Sequence, residues 1–134
     1  MLDTEYISSM GANISTEFWG FQGKEYPTQG IGLWLKWVTL MANTSDAEVP
    51  RVFSTSYGED ENFVAADYAD RINVEFMKAG ARGITLLFSS GDTGAAAVDP
   101  PTGCPKKKFT PKWPAASDLP FLIPPFVLVN ARGY

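Results

Sequence analysis

The sequence predicts an α/β fold, part of a doubly wound parallel sheet with helices on both faces. Three observations lead there. Segments of helical and extended period alternate in the order helix, strand, helix, strand, helix, strand. Ile84-Thr85-Leu86-Leu87-Phe88 is short and almost unbrokenly apolar, the pattern of a strand covered on both faces. Strands joined through helices run parallel with right-handed connections, which places helices on both sides of the sheet.

Each element has a local reason. Leu2, Tyr6 and Met10 recur at i, i+4 and i+8 and predict a short helix that Gly11 stops. Ala12 to Trp19 reads as a strand, and Gly20, Gly23, Lys24, Glu25, Pro27 and Gly30 mark the loop after it. In the next helix Leu33, Trp37 and Leu40 share one face and Trp34, Val38 and Met41 the adjacent one, so the apolar arc is wide and the helix largely buried. Val52 to Tyr57 is β-branched and aromatic between Pro50 and Gly58, a strand. Glu59-Asp60-Glu61 puts acid at the start of the third helix, where the helix dipole favours it. That helix carries an apolar stripe of Ala65, Ala69, Ile72, Phe76 and Ala79, with Asp67 and Arg71 paired one turn apart on the solvent side. Lys78 and Arg82 lie near its end, and Gly83 can stop it. Beyond Asp99 the prolines at 100, 101, 105, 111 and 114 deny a regular helix, and Lys106-Lys107-Lys108 reads as a solvated loop.

Composition removes several function classes. The 134 residues suffice for one domain with one core, and 45% apolar with 19% charged residues is a globular balance. A net charge of −4 offers no electrostatic reason to bind nucleic acid or an anionic membrane surface. The chain has no histidine, so it supplies no imidazole base, no Ser-His-Asp triad and none of the commonest metal ligand. Its single cysteine, Cys104, excludes an intrachain disulfide and a Cys-rich zinc site, and reads as a spare thiol. Leu119 to Val129, the longest apolar stretch, is interrupted by Pro120, Pro124 and Pro125 and is no membrane span. Met1 to Glu5 opens on acid without the apolar core of a secretory leader, which leaves the location of this chain unassigned.

In an open parallel sheet, ligands gather beyond the carboxyl ends of the strands. Two loops qualify: Ser56-Tyr57-Gly58-Glu59-Asp60 and Ser89-Ser90-Gly91-Asp92-Thr93-Gly94. Gly91 and Gly94 allow a sharp turn, and Asp92 projects between them. That carboxyl group either faces a substrate or bonds its own loop. No Gly-x-x-x-x-Gly-Lys-Ser/Thr pattern supports a phosphate cradle.

Five stretches in order resemble the sedolisins, or serine-carboxyl peptidases, and among these the lysosomal tripeptidyl peptidases. They are Leu2-Asp3 with Tyr6-Ile7 and Met10 to Thr16; Val52 to Glu61; Arg71 to Ala79; Ile84 to Gly94; and Pro114-Ala115-Ala116-Ser117. The resemblance divides the chain into residues 1–117, part of a catalytic domain, and residues 118–134, a divergent Pro-rich apolar tail. It implies a subtilisin-like form of the predicted fold. It also implies roles: Asp92 matches an aspartate of the oxyanion hole, and Asp3 matches the aspartate that supports a glutamate base. The backbone of Ser56-Tyr57-Gly58 would pair with an extended peptide. Asn13-Ile14-Ser15 and Asn43-Thr44-Ser45 are glycosylation sequons where the resemblance places sequons.

The resemblance further implies a lysosomal or secreted parent acting on peptides or unfolded protein, with a calcium site outside this chain, so this chain is expected to hold no cofactor. The family's glutamate, four residues before Asp3, would precede Met1, and no Gly-Thr-Ser occurs to supply the nucleophile. The chain alone is therefore expected to be inactive. The alternative reading is a non-catalytic module that binds peptide or a partner.

Overall fold

The computed structural model of the chain describes residues 2–21, 32–92, 94, 96–98 and 105–117. Helix α1 (Leu2–Met10) forms where the spacing predicts it, but none of its residues is buried. Gly11 N–H donates to Ile7 O at 2.8 Å and closes its last turn. The strand expected over Ala12 to Trp19 does not form: the segment makes a turn, with Asn13 at φ 70°, and then runs irregularly. A strand needs a ladder partner, and among the described residues none lies alongside. Trp19 instead sets its ring edge against Phe53, centroids 5.0 Å apart.

Helix α2 (Gly32–Asn43) buries Trp34, Trp37, Val38 and Met41, while Leu40 faces out. Strand β1 (Val52–Thr55) pairs in parallel with β3 (Thr85–Phe88) in the register Val52↔Thr85 to Thr55↔Phe88. Helix α3 (Ala66–Ala81) makes the crossover between them. Phe53, Leu86 and Phe88 alternate onto one face of this pair. Trp37 packs on Phe53 and Phe88 at 5.6 and 6.1 Å, and Phe76 on Phe88 at 5.2 Å, so α2 and α3 cover that same face. Val52 and Ser54 point the other way and are exposed. The result is a mixed helix and strand fold with a small parallel sheet. Among the described residues its covering helices α2 and α3 lie on one face rather than on both.

The acidic turn departs from expectation. Glu59–Asp60 form a short strand, β2, antiparallel to β6 (Lys112–Trp113), and a 3₁₀ turn over Glu61–Phe63 precedes α3. Backbone pairing with a distant segment has taken these residues away from the helix N-terminus. The Lys106–Lys108 run is a strand as well: β4 (Ala96–Val98) and β5 (Pro105–Phe109) form an antiparallel pair. The ladder is set by the backbone, which tolerates lysine at a sheet edge. Cys104 and residues 118–134 lie outside the described residues.

The stripe Ile72, Phe76 and Ala79 is buried as predicted, and Gly83 follows the helix at φ 75°. Arg71, expected to pair with Asp67, turns to Glu75 one turn further on, and Lys78 Nζ donates to the same carboxylate oxygen at 3.0 Å. Glu75 is buried beside the core. Burial raises its carboxyl pKa, but the hydrogen bonds and charges of Lys78 and Arg71 outweigh burial and hold it below the usual value. A depressed folded pKa stabilises the fold above the unfolded value, and that contribution falls away as pH drops through the folded value. Glu75→Gln is expected to lower stability at neutral pH and to flatten the acid limb below about pH 4.3, the reference glutamate value. Urea midpoints measured across pH for both proteins check this.

Arg82 does more than sit near a helix end. Its guanidinium donates to Met41 O at 2.9 Å, Thr44 O at 2.6 Å and Asp46 Oδ1 at 2.8 Å, capping the carbonyls at the end of α2 from the end of α3. Arg51 donates to Arg82 O at 2.8 Å and to Asp46 O at 2.7 Å, which ties the entry of β1 to the same corner. Arg82→Met keeps the aliphatic stem and deletes these bonds; the expected loss is about 3 kcal/mol, since charged hydrogen bonds each carry about 1.5–3 kcal/mol and their acceptors would be orphaned. Chemical denaturation followed by far-UV circular dichroism measures it.

Candidate functional site

The parallel register carries the two sequence-predicted loops off the same edge of the sheet. Thr55 and Phe88 are paired partners at the carboxyl ends of β1 and β3, and Ser89 N–H donates to Thr55 O at 3.2 Å. Ser56-Tyr57-Gly58 and Ser89 to Asp92 therefore leave the sheet side by side, the position at which α/β sheets present ligand groups.

Ser56, Tyr57 and Gly58 are exposed and link β1 to β2. The Tyr57 ring lies tilted against Trp34 at 6.0 Å, and its hydroxyl donates to Glu59 Oε1 at 3.2 Å. Partial burial, together with the Glu59 charge and this bond, raises the Tyr57 pKa, so the hydroxyl stays a neutral donor. Gly58 is required by close approach. A Cβ there would stand 2.7 Å from the Trp113 carbonyl oxygen, a backbone atom that cannot swing aside. Gly58→Ala is expected to cost about 1–3 kcal/mol, the usual scale of overpacking, and to weaken the β2–β6 pairing first. Amide exchange at Asp60 and Trp113 reads that local loss separately from global unfolding.

Gly91 and Gly94 have φ of 88° and 70°, so the expected sharp turn is made by the two residues predicted to make it. Asp92 between them is exposed. Lys112, twenty residues downstream, lays its stem across Gly91: its Cε and Cγ stand 3.0 and 3.1 Å from the position a Gly91 Cβ would take. The Lys112 ammonium in turn bonds the buried carboxylate of Asp60. The corner is closed by aromatic packing, with Trp34 against Trp113 at 5.3 Å and Tyr68 against Trp113 at 6.2 Å. The Tyr68 hydroxyl accepts from Leu35 N–H at 3.1 Å. Trp113–Pro114 is a cis peptide and opens the turn Pro114 to Ser117, closed by Ser117 N–H to Pro114 O at 2.9 Å.

Asp3 lies in the exposed first turn of α1, and none of the contacts that join the two loops involves it. Asn13 and Asn43 are both exposed. Among the described residues no three Asp, Glu, His or Cys side chains converge as metal ligands, and no helix is long and apolar enough to cross a membrane. Sequence reasoning named Asp60 within a candidate loop but missed Lys112 and Trp113 as its partners in this corner.

No family model matches the chain. Over 120 residues, 87% of its length, it is 44% identical to tripeptidyl-peptidase 1 of Mus musculus and of Rattus norvegicus, and 42% identical to tripeptidyl-peptidase 1 of Homo sapiens. The chain spans 19% of the length of each of these relatives. The resemblance carried by the five motif stretches holds across that matched length.

Proposed function

We propose that this stretch of serine-carboxyl peptidase sequence works in proteolysis as the part of a catalytic domain that holds the substrate backbone and the oxyanion acid. The adjacency of the two loops at the Thr55–Phe88 edge carries this reading. An extended peptide laid along Ser56-Tyr57-Gly58 pairs its backbone there. In this reading its scissile carbonyl lies near Asp92. A protonated carboxyl group donates a hydrogen bond to a developing oxyanion, which an imidazole-free site in an acid medium can exploit. Asp3 would support a glutamate base on the preceding helical turn of a longer chain, and a carboxylate base takes the serine proton best near its own pKa. The substrates are peptides with free N-termini, from which tripeptides are released, in a lysosomal or secreted setting with glycans on Asn13 and Asn43. The calcium that the resemblance implies would be held by residues outside this chain, and no step here depends on it.

The chain alone supplies no Gly-Thr-Ser nucleophile. Purified, it is expected to bind an unstructured peptide and to release no tripeptide at about pH 4–5, the range of carboxylate chemistry. Groups that act as a unit fail together, so partial turnover is not expected. Serine-reagent-sensitive release of tripeptides by the pure chain would overturn its assignment as a non-catalytic part. Absence of peptide binding in calorimetry would overturn the substrate role of Ser56-Tyr57-Gly58.

A further inference from the structure

We propose that Lys112 is a positioning residue that fixes the Asp92 loop against the substrate-facing turn. Two independent contacts meet in this one side chain. Its stem crosses Gly91, immediately before Asp92, close enough that a Cβ there would press against it. Its ammonium is held by Asp60, whose side chain is only 9% exposed, while the Lys112 side chain itself is 19% exposed. Asp60 and Lys112 are also paired across the β2–β6 ladder, and Glu61 N–H donates to Pro111 O at 3.0 Å, so the backbone fixes both ends of the bridge.

The geometry explains why an ion pair rather than an apolar contact stands here. The roots of the two loops share the Ser89 to Thr55 backbone bond. Further out, Gly91 at φ 88° gives the loop backbone a conformational freedom that most residues lack. A long stem anchored at its far end covers Gly91 and limits that freedom, as lysine stems do when the amine is tied down. The anchor has to be charged because a buried carboxylate without its cation is strongly unfavourable, which keeps the amine seated. Lys112 touches no substrate in this scheme; it acts through the placement of Asp92. The inference rests on the reading of Asp92 and Ser56-Tyr57-Gly58 as one peptide site.

The test uses the full 134-residue chain with three changes: Lys112→Met, Lys112→Arg, and Lys112→Met combined with Asp60→Asn. Backbone order parameters from nitrogen-15 relaxation are read at Gly91 and Asp92, with Leu86 as the core reference. In the wild type all three are expected near the rigid value of about 0.85; Lys112→Met is expected to bring Gly91 and Asp92 below about 0.6 and leave Leu86 rigid. Lys112→Arg is expected to restore them. The double variant removes the orphaned charge, so it recovers stability, yet its loop is expected to stay loose because the anchor is gone. Rigid Gly91 and Asp92 in the double variant, or equal loosening of Leu86, would overturn the proposal in favour of a purely structural ion pair. Affinity for an unstructured peptide is read on the same samples and is expected to fall about tenfold wherever the loop loosens, about 1.4 kcal/mol. If the wild type binds no peptide, the functional reading fails by itself, and the order parameters still decide the role of Lys112.

Discussion

Trp34→Ala is expected to leave the chain largely unfolded. The Trp34 ring is 3% exposed and meets Trp37 at 5.7 Å, Phe88 at 5.7 Å, Trp113 at 5.3 Å and Tyr57 at 6.0 Å. It therefore touches α2, the end of β3, β6 and the turn at Tyr57 together. Truncating a buried tryptophan to alanine costs about 3–5 kcal/mol, from lost burial and from the cavity left behind. A whole domain of this size has only about 5–15 kcal/mol to lose. The fold has little reserve, because α1 buries nothing and one side of the parallel pair exposes Val52. Far-UV circular dichroism against urea should show a transition shifted to low denaturant or absent. Phe18→Ala, at a ring that is 69% exposed, is the matched control and should move the midpoint little.

Asp92→Ala is expected to remove most of the turnover of a complete peptidase that carries this stretch, while Asp92→Asn keeps part of it. A carboxyl group in an oxyanion site is useful only as a donor, hence protonated. Asparagine donates from its amide at any pH, with different geometry; alanine donates nothing. Loss of one such donor costs about a hundred- to a thousand-fold in rate in acyl-transfer enzymes. If Asp92 served only to bond its own loop, both variants would lose stability and keep the wild-type turnover per folded molecule. Active-site-titrated rates for the two variants across pH separate these outcomes.

The parts of this fold that were legible in the sequence are those written in local periodicity. The stripe Ile72, Phe76 and Ala79 and the stop at Gly83 depend on residues within one helix, and the apolar run Ile84 to Phe88 declares its burial by itself. The two candidate loops followed from these elements, because the end of a parallel strand fixes where its loop emerges. What stayed hidden depends on partners distant in sequence. Ala12 to Trp19 has strand-like composition, but a strand exists only with a neighbour to pair with. Glu59 and Asp60 look like a helix entry until β6 claims them. The Asp60–Lys112 bond spans 52 residues, and the Arg82 bond to Met41 spans 41, so neither is visible in any local window. Arg71 chose Glu75 over Asp67 because the buried carboxylate, already beside Lys78, had more to gain from a second cation.

The measurement that bears most directly on the central claim is turnover by a chimaera. The 120 matched residues of this chain would replace their counterpart in tripeptidyl-peptidase 1 of Mus musculus, which then supplies the rest of the domain. If the stretch holds the substrate backbone and the oxyanion acid as proposed, the folded chimaera releases tripeptides in acid within about tenfold of the parent rate, a barrier change of about 1.4 kcal/mol. A chimaera that folds, carries the parent's nucleophile and base, and yet releases no tripeptide would contradict the account.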